Sequence, residues 1–254
     1  PHGIGAIGSR TGVNVGISAN DAAIQVKNKA LKLASILLEK PEDELELSDG
    51  AVRARSDSNQ FITLADLALQ LSPAVAGKLP EGFETAGLEA VSYQTTDYMP
   101  HSSGANIAKV EVDVVTGGIK ILDYYVVHDC GRILNPMIVD GQIIGGVVHG
   151  IGNAMFEQMV YDDSGNPMTT NYGDYLLPLA SEMPEIHVAH IETPSPANPM
   201  GLKGAGEGGT IPAIGAMINA IEDALTPFDA YIAKYPVTPE YILELVDGEK
   251  MAAE

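Results

Sequence analysis

The chain has 254 residues, hydrophobic residues at 45% of its positions and a formal net charge of −20. This length and composition suit one large or two small globular domains, and the negative charge argues against nucleic acid and anionic membrane surfaces as partners. The single cysteine excludes a disulfide framework and a thiolate cluster for zinc or iron–sulfur, and no apolar run reaches the roughly 20 residues of a membrane helix. We therefore expect a cytoplasmic protein without membrane insertion.

A glycine-rich stretch, residues 1–16, precedes the first predicted helix, residues 22–39, whose apolar residues fall on one face. Three candidate N-caps lie at the start of that helix: Ser18, Asn20 and Asp21. Hydroxyls, amides and glycines ahead of a helix start are what an anion or a phosphate requires. Ordinary helix capping explains the same residues more simply.

A hairpin with its turn at Asp49–Gly50 follows, and Thr63 is the expected cap of a second helix. Residues 72–88 are rich in proline, glycine and alanine, which predicts a loop between two lobes. We place the first lobe at residues 1–75 and the second at residues 76–254.

The second lobe contains a β-hairpin, because valines and isoleucines alternate with polar residues on both sides of a turn at residues 116–118. Its second strand ends at His128, Asp129 and Cys130. An apolar stretch rich in glycine, residues 137–158, predicts a buried helix that its neighbours approach closely.

Two polar side chains interrupt this apolar helix, Gln142 and His149. A buried amide needs hydrogen-bond partners, because leaving it unpaired costs about 1–3 kcal/mol. Gln142 is therefore expected to bond either to backbone or to a ligand. A lone histidine on an apolar helix is more often a satisfied core residue than a ligand, so we expect His149 in the core.

After this helix, a hairpin turn at residues 161–166 carries acidic and amide side chains, but their spacing fits no calcium-binding EF-hand loop. A strand over residues 186–191 and a short last helix within residues 236–246 complete the predicted elements.

The most distinctive stretch is a glycine-dense loop, residues 204–209, which holds one carboxylate, Glu207, and leads into a helix with Thr210 as its expected cap. So many glycines bring backbone very close to another segment or to a ligand. The Gly-x-Gly-x-x-Gly pattern matches the dinucleotide fingerprint only weakly, because an irregular proline-rich loop precedes it instead of a strand. A structural glycine turn with an exposed Glu207 is the alternative to a catalytic acid or base.

Five motifs occur in order along the second lobe. They are His128–Pro136, one glycine-rich motif in two parts (Gly141–Gly146 with Gly150–Gly152), Asp174–Tyr175, Leu177–Pro178 and Gly204–Glu207. In this order they resemble the molybdenum-binding large subunit of the xanthine dehydrogenase, aldehyde oxidoreductase and carbon monoxide dehydrogenase family.

The resemblance implies an α+β fold of the molybdenum cofactor-binding type, with two lobes of mixed β-sheet and helices packed on one side. It implies a molybdopterin cofactor with molybdenum and no protein side chain as a metal ligand. The resemblance favours the cytosine dinucleotide form of the cofactor, with the plain pterin form as the alternative. The residues that match cofactor-contacting positions of the family are Ser9, Arg10, Thr11, Gln142, Gly204, Gly206 and Gly208.

By the same resemblance, the expected activity is oxidative hydroxylation of an aldehyde, an N-heterocycle or carbon monoxide, with Glu207 as general base. The expected partners are the upstream half of the molybdenum subunit, an iron–sulfur subunit with [2Fe-2S] and a flavin subunit with FAD, in a possible dimer of heteromers. A first residue other than methionine indicates a processed chain or a piece of a longer one, and we expect the isolated chain to be inactive. The alternative is a non-catalytic binding or assembly module that keeps the fold without metal.

Overall fold

The computed structural model describes residues 5–72, 74, 79–95 and 98–252, with the backbone alone at 249–252. The chain forms two compact units, Asn14–Thr95 and a larger unit made of Pro1–Val13 with Thr96–Glu254. These units cut the chain at other positions than the predicted lobes do. The predicted division between residues 75 and 76 falls in a segment outside the described residues and stays a prediction.

The smaller unit packs two helices against one antiparallel sheet, in the order β1-β2-β3. Its elements are α1 (Ile17–Leu38), β1 (Leu45–Ser48), β2 (Ala51–Ala54), β3 (Asp57–Thr63) and α2 (Leu64–Gln70). Eight buried residues form its core: Ala30, Leu33, Ala34, Leu45, Val52, Ala54, Leu67 and Leu71. This sheet is antiparallel throughout, so it is not mixed as the resemblance implied.

Two helix starts in this unit test the capping predictions. Thr63 is confirmed as the cap of α2, because its side chain accepts a hydrogen bond from the backbone N–H of Asp66 at 3.1 Å. The start predicted for α1 is wrong by about one turn. A short π-helical turn, Gly12–Gly16, runs directly into α1, so Ser18, Asn20 and Asp21 lie inside the helix and cap nothing.

The larger unit is built on a three-stranded sheet in the order β4-β5-β6. The strands are β4 (Ser103–Val112), β5 (Ile119–Asp129) and β6 (Ile186–His190), and the helices are α3 (Pro136–Met155), α4 (Thr210–Ala224) and α5 (Pro239–Ala252). β4 pairs antiparallel with β5, as the predicted hairpin requires, whereas β6 pairs parallel with β5. This sheet is therefore mixed.

The helices cover one face of this sheet. Along β5, Tyr124 and Val126 are buried in a core shared with α3 and α4, whereas Tyr125 and Val127 are exposed. This alternation follows from the two-residue period of a strand. His128 is the next residue on the buried face.

Close approach of α3 and α4 depends on glycine. A Cβ atom at Gly150 would lie 2.5 Å from the Cβ of Ala213, whereas one at Gly145 would meet nothing within 4 Å. The predicted glycine-faced helix is thus confirmed on one side only. Its other side is exposed, and the expected burial of Gln142 and His149 is wrong.

The start of α4 also differs from the prediction. Gly209 occupies the N-cap position without a side-chain hydrogen bond, and Thr210 is the first helical residue. The Thr210 hydroxyl instead donates to the backbone carbonyl of Gly146 at 3.1 Å, which ties α4 to α3. Within the described ranges, no helix combines the length and hydropathy that a bilayer crossing requires.

Candidate functional site

The loop before α4 holds its one carboxylate against the N-terminal segment. The Ser9 hydroxyl donates to Glu207 Oε2 at 2.6 Å, and the backbone N–H of Glu207 donates to Ser9 Oγ at 2.9 Å. Ser9 has a φ of +56°, in the left-handed region that non-glycine residues rarely adopt. Glu207 is exposed, and these two bonds with Ser9 fix its position.

Close contacts require glycine at two positions of the loop, Gly208 and Gly209, and leave little space at a third, Gly204. A Cβ atom at Gly204 would lie 3.0 Å from Ser9 Cβ, and one at Gly208 would lie 2.1 Å from His128 Nε2. At Gly209 the corresponding distance is 2.3 Å, to the backbone oxygen of Ile143 in α3. The many glycines therefore let the loop lie directly on three other segments, as the sequence indicated.

Gly206 differs from these neighbours. A Cβ atom there would meet Ser9 Oγ at 3.5 Å and Gln142 Oε1 at 3.8 Å, which are ordinary contact distances. The polar atoms of Ser9 and Gln142 thus converge on Gly206 from two elements. The structure brings together five residues predicted to bind the cofactor with the predicted base: Ser9, Gln142, Gly204, Gly206, Gly208 and Glu207.

Arg10 and Thr11 do not join this contact set. Thr11 is exposed, and the Nε atom of Arg10 is buried with no hydrogen-bond partner in the described part of the chain. A buried guanidinium nitrogen without a partner is costly, because polar groups removed from water normally find one. Arg10 is therefore the residue here that an anionic group would satisfy.

A cavity of about 390 Å³ opens beside the loop. Its lining includes Ser9, His101, Ser102, Gly104, His128 and Glu207. Sequence reasoning placed His128 at a strand end but gave it no role. The signal available was its position, since it follows Tyr124 and Val126 on the inward face of β5.

His128 is the most unusual polar residue at this cavity. Its side chain is 2% exposed, and neither ring nitrogen has a hydrogen-bond partner among the residues described. Burial, and then repulsion by His190, lower the pKa of His128 below its ordinary value, although Asp129 opposes the shift. The ring is consequently held in its neutral form near neutral pH.

A second polar cluster anchors the root of the loop. Lys203 Nζ donates to Asp129 Oδ2 at 3.1 Å, while the backbone N–H groups of Gly131 and Thr193 donate to Asp129 Oδ1. Burial alone would raise the pKa of Asp129, but these hydrogen bonds hold it well below its usual range. The backbone N–H of Lys203 also bonds to Cys130 O at 2.8 Å. The end of β5 therefore fixes where the loop begins.

The residues present fit an anionic cofactor rich in hydrogen-bonding groups. Arg10 and His128 supply buried nitrogens that have no partner among the described residues, and Gly206 leaves backbone open between Ser9 and Gln142. Across the described residues, no group of three or more His, Cys, Asp or Glu side chains is arranged to hold a metal ion.

Comparisons with known proteins agree with a cofactor site of this kind. The sequence profile of the molybdopterin cofactor-binding domain matches residues 1–184. The chain is 40% identical over 247 residues to the nicotine 6-hydroxylase large subunit of Paenarthrobacter nicotinovorans, which covers 97% of this chain and 30% of that subunit.

Two solved structures resemble the chain as a whole. Carbon monoxide dehydrogenase from Oligotropha carboxidovorans matches with a TM-score of 0.81 and 30% identity, over 99% of this chain and 31% of that one. Quinoline 2-oxidoreductase from Pseudomonas putida 86 matches with a TM-score of 0.80 and 36% identity, over 97% and 31%. These matches confirm the predicted α+β fold class. The chain spans about three tenths of the length of each of these relatives.

Proposed function

The chain belongs to the molybdopterin cofactor-binding domain family, and from that premise we propose that it forms the cofactor-binding portion of a molybdenum hydroxylase with Glu207 as general base. The observation that carries this proposal is the pair of hydrogen bonds between Ser9 and Glu207, which holds an exposed carboxylate at a glycine-lined cavity. A general base needs a fixed position as well as access to the proton that it removes.

Ser9 makes the two carboxylate oxygens of Glu207 different from each other. Its hydroxyl occupies Glu207 Oε2, whereas Oε1 has no hydrogen-bond partner in the described part of the chain. Oε1 is thus the atom that receives the proton. The bound cofactor supplies the molybdenum centre for oxygen insertion and electron uptake. The protein's own part is to hold Oε1 in place and to accept the proton there.

The cofactor-binding role extends over the other predicted residues. We assign the cofactor's phosphates to the region of Arg10 and Thr11, because the buried Nε atom of Arg10 has no partner within the described ranges and guanidinium groups bind phosphate well. Ser9 and Gln142 face the gap at Gly206, where they would hydrogen-bond to the pterin. The cytosine dinucleotide form of molybdopterin fits this proposal, since it carries the additional phosphate.

The complete enzyme requires partners. The chain spans only 30% of the nicotine 6-hydroxylase large subunit, so we propose that the remaining large-subunit domains complete the cavity. Subunits that carry [2Fe-2S] and FAD would remove the electrons, in a cytoplasmic assembly that we propose to be a dimer of heteromers. The isolated chain would then be inactive. Because the names of two relatives refer to nicotine and quinoline, an N-heterocycle is the substrate class to test before aldehydes and carbon monoxide.

The test compares three variants of the enzyme that contains this chain, with an N-heterocyclic substrate. Glu207→Gln should lower turnover by about 10²–10⁴-fold, the usual contribution of a positioned base, and keep its molybdenum. Ser9→Ala should give a smaller loss, because it frees the carboxylate without removing it. Glu111→Gln, at an exposed position on β4 away from the cavity, is the matched control and should be unchanged.

Two results would overturn parts of this proposal. Full turnover in Glu207→Gln would remove the general-base role. A wild-type protein without molybdenum, purified from cells that make the cofactor, would instead support the non-catalytic binding or assembly module. Glu207 would then be an ordinary loop carboxylate.

A further inference from the structure

Two histidines lie side by side on the buried face of the larger sheet. His128 of β5 pairs directly with His190 of β6 in the parallel ladder, so both side chains project from the same face. Their ring centroids are 6.5 Å apart with the rings nearly perpendicular. The pair begins at the Glu207 cavity, because His128 lines it, and it continues away from the cavity to the edge strand.

The pair has buried nitrogens that no group in the described part of the chain satisfies. Both ring nitrogens of His128 and Nδ1 of His190 lack a hydrogen-bond partner within the described ranges. Buried polar nitrogens are normally bonded to protein or to ordered water. Three unsatisfied nitrogens on two neighbouring rings are therefore expected to share water molecules with each other and with the cavity.

The other end of the pair reaches solvent. His190 Nε2 lies 2.6 Å from Asp140 Oδ1, near the start of α3. The side chain of His190 is 16% exposed and that of Asp140 is 48% exposed. A row of titratable groups thus runs from a buried ring at the cavity to a carboxylate that water can reach, and the gap between the two rings is where water would connect them.

The charges around His128 suit it to pass a proton on. Burial and then His190 lower its pKa, Asp129 on its own strand raises it, and Lys203 lowers it again. Glu207 lines the same cavity from the loop. A neutral imidazole can accept a proton on one nitrogen and release one from the other.

We propose that His128 and His190 form a buried proton relay that carries the proton from Glu207 to Asp140 and bulk water. Glu207 releases the proton through cavity water to His128, His128 passes one to His190, and Asp140 receives it from His190 Nε2. Each group returns to its starting charge, and no electrons move. The relay rests on the proposed function, because that reaction delivers the proton to Glu207.

The test uses the enzyme that contains this chain and disrupts the relay at its solvent end, at two residues that do not line the cavity. In a low concentration of buffer, His190→Gln and Asp140→Asn should each lower turnover at least tenfold and enlarge the solvent deuterium isotope effect. A high concentration of a small imidazole buffer should restore most of the loss. The control is His187→Gln, since His187 is a partly exposed histidine on the opposite face of β6, stacked on Tyr125.

A second measurement does not depend on activity. Exchange of the histidine C2 hydrogen for deuterium, followed by mass spectrometry, titrates each histidine separately. His190→Gln should raise the pKa of His128, because it removes a group that lowers it, and His187→Gln should leave it unchanged.

The relay is refuted if His190→Gln and Asp140→Asn match His187→Gln in turnover, isotope effect and buffer dependence while Glu207→Gln is inactive. An active Glu207→Gln enzyme would refute the general base instead, while the titration of His128 would still report whether the two rings are coupled.

Discussion

Substitution of Gly208 by alanine tests how the glutamate is held in place. The new Cβ would lie 2.1 Å from Nε2 of His128, whereas non-bonded heavy atoms settle at about 3.5–4.0 Å. The ring cannot easily move aside, because the side chain is 2% exposed and sits between β4, β6 and the loop. The loop with Glu207 must therefore shift by more than about 1 Å.

The size of the effect follows from that shift. Overpacking of a close contact costs about 1–3 kcal/mol, which lowers the melting temperature of the protein but still allows folding. A misplacement of about 1 Å at a catalytic group costs on the order of 10²-fold in rate. We thus expect Gly208→Ala to lose about two orders of magnitude in turnover, in contrast to a small loss of stability.

The assay measures turnover, molybdenum content and melting temperature of the enzyme that contains this chain. Gly215→Ala in α4 is the matched control, because its new Cβ would meet nothing within 4 Å. Turnover of Gly208→Ala within twofold of that control would show that the contact with His128 does not position Glu207. Loss of molybdenum from Gly208→Ala would show instead that the loop retains the cofactor.

Two predictions concern stability. Gly150→Ala should destabilise the protein by about 1–3 kcal/mol, because the new Cβ clashes with Ala213. Gly145→Ala should instead stabilise α3 by up to about 1 kcal/mol, because its new Cβ would meet no described atom within 4 Å. Denaturant unfolding in which both variants change the free energy of unfolding in the same direction would contradict the close contact between α3 and α4. Asp129→Asn should cost up to about 3–5 kcal/mol at neutral pH, because it leaves the largely buried ammonium group of Lys203 unpaired. The pKa of Asp129 is lowered in the folded state, so this stabilisation is complete above the unfolded pKa of about 3.9 and decreases as the pH falls below it. A difference in the free energy of unfolding between wild type and Asp129→Asn that does not decrease below pH ~4 would contradict this prediction.

Local features of the fold were predictable from the sequence. The Thr116–Gly118 turn between alternating valines and isoleucines gave the hairpin of β4 and β5, and the cap at Thr63 gave α2, because both signals lie within a few residues of each other. The family resemblance is confirmed by the match to the molybdopterin cofactor-binding domain. It could be predicted from the sequence because it depends on the order of motifs along the chain. The start of α1 was missed because a π-helical turn continues the helix backwards past the polar residues that mimic a cap.

Contacts between distant segments were less accessible. Nothing near His128 in the sequence indicates His190, because the parallel pairing of β5 with β6 spans the whole of α3 and the irregular segment after it. The burial of α3 was overestimated because glycine and isoleucine occur on both of its faces, so its composition does not distinguish the buried face from the exposed one. Periodicity alone did not show that Gly141 and Gly145 would face open space.

The position of Glu207 depends on three segments that are far apart in the chain. Its hydrogen bonds come from Ser9, its loop begins at a bridge between Gly131 and Leu202, and the loop ends against Ile143 and the ring of His128. Each contact removes one direction in which the loop could move, so no single motif is sufficient to position the carboxylate. A chain that kept the glycine loop but lost Ser9 or the end of β5 would still present a glutamate there. That glutamate would lack the fixed orientation that a general base requires.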